Sequence, residues 1–262
     1  MYYKIKHTTY LSDIAKTLHR LGLLQRETKR YTEAKVSYDE ALGIYRQLAE
    51  TNPDEYLPQV ANTFCSLRYM HIDRDKETET SYAEAERGVY RRLAKTNPDK
   101  YLSDLTWRLR VLAALQEEMD RNAKAETTLT EALEIHRKIA ETNPDISNLS
   151  NVAITLANMA NLQAKANRHE EAEANYSEAL KIARNDPDAY VSNKYLNDVV
   201  KILGNLATLQ CAANRHAEAE ANYTESLEIY RELVKANPDR YLSSMVLALN
   251  DFAALRHAAS RS

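Results

Sequence analysis

The chain has 262 residues, and 35 Lys and Arg against 38 Asp and Glu leave a net charge of -3. That balance gives no basic footprint for nucleic acid and no polybasic signal for an anionic membrane surface. Four glycines and six prolines are too few to turn many short strands, and two cysteines are too few for a disulfide framework. No apolar run is long enough to span a membrane, and MYYKIKHTTY lacks the apolar stretch of a secretion signal. A soluble, cytoplasmic, mainly helical protein is expected.

In chain order, the first helical stripe is Ile14, Leu18, Leu21, Gly22 and Leu24, with polar residues between them. After Lys29-Arg30 the pattern resets. Ala34, Tyr38, Ala41, Leu42, Tyr45 and Leu48 form a second stripe at spacings of three and four. Thr51-Asn52-Pro53-Asp54 ends it. The same sentence then starts again. Tyr10-Leu-Ser-Asp is echoed at Tyr56, Tyr101, Asn148, Tyr195 and Tyr241, in steps of 46, 45, 47, 47 and 46 residues. This predicts repeats at about 10–55, 56–100, 101–147, 148–194 and 195–240, with a lone helix at 241–262, all in one domain. No single hairpin can hide its own apolar face, so each must stack on the next. Small residues recur where helices would approach closely: Gly22, Ala113, Ala160 and Ala207 in first helices, Ala34, Ala125, Ala172 and Ala219 in second helices.

The second repeat departs from the rest. Arg68 stands at its small first-helix position, and its second-helix alanines are shifted to Ala83 and Ala85. Less regular packing is expected there. The fourth repeat loses about one turn near Asn185-Asp-Pro-Asp188, and Tyr190–Lys194 makes up the length. Each joint carries an Asn-Pro or Asp-Pro. The residue before proline is pushed out of helix geometry, so the second helix must stop there. Asn52-Pro53-Asp54 fits a type I turn, with the next helix starting at Leu57-Pro58. The alternative makes Asn52 the N-cap and Pro53 the first helical residue, which puts Pro58 inside the helix.

Leu18-x-x-Leu21-Gly22 followed by Ala34-x-x-x-Tyr38-x-x-Ala41 resembles the tetratricopeptide repeat, a helix–turn–helix unit of about 34 residues. Leu156-x-x-Met159-Ala160 with Ala172-x-x-x-Tyr176-x-x-Ala179 matches at the same offsets, as does Leu203-x-x-Leu206-Ala207 with Ala219-x-x-x-Tyr223-x-x-Ser226. The resemblance covers residues 10 to 262. It implies an all-α, right-handed superhelical solenoid of antiparallel hairpins. The units are about a dozen residues longer than those of the family, as in kinesin light chains and many bacterial multi-repeat proteins.

Catalytic motifs are missing: the glycines are scattered, His169-Glu-Glu-Ala-Glu lacks a second histidine, and no C-x-x-C exists. A non-enzyme without cofactor is expected. His169 and His216 occupy the short turn between helices. Glu218, Glu220 and Glu225 read as a solvated face with pairs along their own helix. The resemblance implies peptide binding by a concave groove lined by first helices. Its offsets select His19 and Leu23, then Asn62, Cys65 and Tyr69, then Trp107 and Arg110, then Asn158 and Asn161, and finally Lys201, Asn205 and Thr208. An Asn amide both donates to and accepts from a peptide main chain, so it reads backbone without demanding a side chain. Arg110, Asn158 and Lys201 also fall near the offsets of the family's carboxylate clamp, but Ala114 and Asn205 break that pattern. Trp107, the only tryptophan, is either a binding anchor or a filler beside the degenerate repeat. The partner is a protein or peptide, not nucleic acid or membrane, and uncovered terminal helices would self-associate. The other reading is a sensor or regulatory segment of a larger signalling protein.

Overall fold

The computed structural model describes residues 2–70, 75–184 and 193–259. Among them are eleven helices and no strand: α1 Tyr2–Glu27, α2 Tyr31–Thr51, α3 Pro53–Arg68, α4 Lys76–Thr96, α5 Pro98–Glu118, α6 Asn122–Thr142, α7 Ile146–Lys165, α8 His169–Arg184, α9 Asn193–Ala212, α10 His216–Ala236 and α11 Pro238–Ala259. The chain is all-α, and consecutive helices pair as the repeat predicts. It divides into two compact units, Met1–Ala132 and Leu133–Ser262, with the division inside α6.

Four of the hairpins close in the same way, the turn between α3 and α4 lying outside the described residues. Lys29, Asp120, Asn167 and Asn214 take φ values of 56 to 61°. The next residue, Arg30, Arg121, Arg168 or Arg215, donates its N–H to the carbonyl of Gln25, Gln116, Gln163 or Gln210 at 2.8 to 2.9 Å. This six-to-one bond around a left-handed residue satisfies carbonyls that a helix end leaves bare. The same glutamines act twice. Their side-chain Oε1 accepts from Ser37 (2.8 Å), Thr128 (2.9 Å), Asn175 (2.7 Å) and Asn222 (2.7 Å), each twelve residues on. One residue thus fixes both the turn and the register of the returning helix. Tyr31, His169 and His216 are the first residues of their second helices rather than turn residues. The turn itself lies one to two residues earlier.

The joints between hairpins are shorter than a type I turn. A single residue separates α2 from α3, α4 from α5 and α10 from α11: Asn52, Asn97 and Asn237, at φ −139 to −153° and ψ 78 to 88°. The following helix begins at the proline itself, whose missing N–H costs nothing at a first helical position. Pro58 therefore lies inside α3, and the start at Leu57-Pro58 is corrected. Proline there forfeits one hydrogen bond near the helix start, and the apolar face of Tyr56, Leu57, Val60, Ala61 and Phe64, all buried, holds the helix together. At α7 the joint is longer, and Asp145 caps by accepting from the N–H of Asn148 at 2.7 Å. The Asn185–Asp188 joint and most of Tyr190–Lys194 lie outside the described residues.

In the first unit the core is Ala34, Tyr38, Ala41, Tyr45, Leu48, Val60, Phe64, Leu93, Leu105, Leu109 and Leu112. In the second, Leu156, Val200, Leu203 and Leu233 are fully covered, each contributing about 1.5–3 kcal/mol. The small positions are buried as predicted. A Cβ on Gly22 would lie 2.7 Å from Cε1 of Tyr38, so that ring packs directly on the backbone of α1.

The second hairpin is irregular, in a specific way. Arg68 is buried, with 4% of its side chain exposed, and Glu86 beside it has 1%. Glu86 stands eleventh in α4, where α2, α6, α8 and α10 have Ala41, Ala132, Ala179 and Ser226. Two positions that elsewhere hold small residues thus hold an arginine and a glutamate, 3.4 Å apart. Arg108 of α5 pairs with the other Glu86 oxygen.

Candidate peptide-binding surface

The surface faces of the first helices are built by subtraction. In α5, Leu105, Leu109, Leu112 and Ala113 point into the core, so Ser103, Trp107 and Ala114 face outward. Trp107 is 42% exposed. The Arg108 guanidinium lies 4.3 Å from its ring and 4.7 Å from that of Tyr90. Arg110 is half-buried on the same helix. Asn62 of α3 and Tyr69, the residue that caps it, are exposed and Cys65 is half-buried, with Arg68 stacked 4.3 Å from the Tyr69 ring. The Arg68–Glu86–Arg108 cluster lies beneath this face. Burial pushes the Glu86 carboxyl up from its ordinary range, while the two guanidiniums pull it back down. Burial likewise raises the Cys65 thiol. His19 is less available than its offset suggests. Its Nδ1 lies 3.1 Å from Thr63 Oγ1, and its ring packs edge-on to Tyr38.

In the second unit, Asn161 and Asn205 come together. The Asn205 amide donates to Asn161 Oδ1 at 2.9 Å, and the Tyr176 hydroxyl donates to the same oxygen. Burial pushes the Tyr176 hydroxyl up to about 12, so it remains a donor at every physiological pH. Asn205 is exposed. Asn158 is half-buried on α7, and Lys201 is exposed on α9, 3.9 Å from Asp198. The Thr208 and Tyr223 hydroxyls lie 3.1 Å apart. The twelve residues selected from the sequence thus divide: His19, Leu23, Asn62, Cys65, Tyr69, Trp107 and Arg110 in one unit, Asn158, Asn161, Lys201, Asn205 and Thr208 in the other.

Two of the three α10 glutamates depart from expectation. Glu218 pairs within its own helix start, with Arg215. Glu225 instead takes Arg184 of α8, and Glu220 takes Arg256 of α11. These join neighbouring hairpins. Among the described residues no group of three or more His, Cys, Asp or Glu could hold a metal ion, and no helix is long and apolar enough to cross a membrane.

Residues 15–48 and 153–186 match one model of the tetratricopeptide repeat, and residues 199–239 match a second. No curated protein matches the sequence. Among solved structures, BtubC (BKLC) from P. vanneervenii aligns with a TM-score of 0.55 at 21% identity, covering 86% of this chain and 87% of that one. A Rap protein complexed with competence and sporulation factor aligns with a TM-score of 0.54 at 18% identity, over 93% of this chain and 63% of that one. Aspartyl phosphate phosphatase F from Bacillus subtilis aligns at 0.58 and 12% identity, over 94% and 57%. The chain thus spans less than two thirds of the latter two proteins. At these identities the likeness concerns the fold. The repeat matches, the paired helices and the small-residue contacts agree that the chain carries tetratricopeptide repeats.

Proposed function

We propose that the chain is a non-catalytic scaffold that binds a protein or peptide on the exposed faces of its first helices. The observation that carries this is Trp107. A lone tryptophan held 42% exposed on the outer face of a helix whose other face is core has the character of a binding anchor. The Asn205 and Asn158 side chains, both on first helices, supply main-chain recognition in the second unit. A fold neighbour solved with a bound factor supports the same use of this architecture. A cytoplasmic location suits Cys65 and Cys211, which are both free.

The test is affinity capture with purified chain, repeated with Trp107→Ala and with Asn158→Ala/Asn205→Ala, each checked for helix content and melting. Loss of the captured partner from a folded variant is the expected result. Unchanged recovery with all three substitutions sinks the proposal. A second reading, a regulatory segment of a larger signalling protein, draws on the fact that the chain spans only 63% and 57% of two of its fold neighbours. A gene that encodes an attached NTPase or protease domain would favour it.

A further inference from the structure

Second helices carry a regular pair of charges. The sixteenth residue is arginine in all five, Arg46, Arg91, Arg137, Arg184 and Arg231, and the tenth is glutamate in four, Glu40, Glu131, Glu178 and Glu225. Wherever the series is complete, the arginine of one hairpin takes the glutamate of the next. Arg91 holds Glu131 at 2.7 Å, Arg137 holds Glu178 at 2.7 Å, and Arg184 holds Glu225 at 2.5 Å. In α4 alone the tenth residue is Ala85. Arg46 of α2 therefore faces a missing carboxylate, and among the described residues it makes no ion pair. Its guanidinium lies 5.0 Å from the Phe64 ring.

A cleft of about 490 Å³ opens at this place. Val60 and Phe64 of α3 line it, Ala85 and Gly88 of α4 form one wall, and Arg46 and Arg92 reach it with Glu50. A Cβ on Gly88 would meet nothing within 4 Å. Two cations against one carboxylate leave a positive excess. None of the residues of the Trp107 surface takes part.

We propose that this cleft binds a small amphiphilic carboxylate, with its apolar body along the open Ala85–Gly88 wall of α4 and its carboxylate on Arg46. The volume falls within the roughly 300–1,000 Å³ of small-molecule sites. The planar guanidinium fork suits a carboxylate, and three neighbouring joints of this same chain display that pairing with glutamate. The proposal is independent of the peptide surface. Its test is calorimetric titration of the purified chain with sodium decanoate below its micellar concentration, with decanol as the uncharged control. Saturable one-site binding of decanoate is expected, with decanol at least tenfold weaker. Ala85→Glu, which supplies the missing ladder glutamate, and Arg46→Ala should each weaken decanoate at least tenfold, whereas Arg137→Ala should leave it unchanged. Ala85→Glu introduces the residue that α6, α8 and α10 already carry, so it decides the matter if Arg46→Ala misfolds. Absence of saturable binding, or equal binding by Ala85→Glu, overturns the site.

Discussion

Single residues set how closely the helices approach. Gly22 is absent of side chain because the Tyr38 ring occupies the space, 2.7 Å from where a Cβ would stand. Gly22→Ala should lose about 1–3 kcal/mol through overpacking. Gly43→Ala, where nothing lies within 4 Å, should gain up to ~1 kcal/mol from helix propensity. Urea unfolding of both variants checks the contrast. Glu86 is the opposite kind of residue, a charge where its neighbours have alanine. Glu86→Leu strands the buried Arg68 guanidinium, and a loss of about 3–5 kcal/mol is expected. Adding Arg68→Met should restore much of it, because a stranded charge rather than a lost contact is the cause. A double variant as unstable as the single one would refute that account. This cluster was only half legible in the sequence. Arg68 announces itself by breaking the small-residue series, but a glutamate on a second helix reads by default as solvated. Only alignment on helix starts places Glu86 against Ala41, Ala132 and Ala179.

At the scale of the element, four hairpins carry their own register lock. The Gln25 side chain accepts from Ser37 with both residues buried. Ser37→Ala leaves a buried acceptor without its donor, a cost of about 1–3 kcal/mol. Replacing both partners, Gln25→Leu/Ser37→Ala, removes that penalty, so the double variant should be more stable than the single one in the same urea assay. Equal instability would mean the bond is incidental. The hairpins themselves were plain in the sequence, since a period near 46 residues and a spacing of three and four are hard to mistake. The joints were not. Pro58 made a start at Pro53 look forbidden by local rules, yet the buried face of α3 outweighs one lost hydrogen bond. Contacts between hairpins, such as Arg184 with Glu225, depend on which second helices lie side by side, and within-helix spacing does not reveal that.

At the scale of the whole molecule, two helices keep an apolar face uncovered. Tyr10, Ile14, Leu21 and Leu24 are exposed on α1, and Leu242, Val246, Leu247 and Leu249 on α11. The α11 stripe lies on one side of a helix whose other side seats Tyr241 and Leu255 in the core. A chain of this length should therefore associate with itself as concentration rises. Sedimentation velocity across a concentration series should show the sedimentation coefficient increasing, and Leu242→Lys/Val246→Lys should abolish the increase. A wild-type chain that stays monomeric throughout would count against this face as an interface.

The one-residue joints bear on how many chains share a fold. At Asn97 the helical bonds continue on both sides, from the Asn97 N–H to Leu93 and from the Tyr101 N–H to Asn97. Little besides Pro98 forbids α4 and α5 from fusing into one rod, Lys76 to Glu118, roughly 65 Å long at 1.5 Å per residue. In such a rod the later hairpins point away from the earlier ones and find their packing partners in a second copy. Pro98→Ala should then yield, besides the monomer, an arm-exchanged dimer that persists on dilution and is separable by gel filtration. A purely monomeric, equally stable variant would show that Asn97 holds the corner alone. On this account the recurring proline governs stoichiometry: it keeps each chain's hairpins folded on neighbours from the same chain.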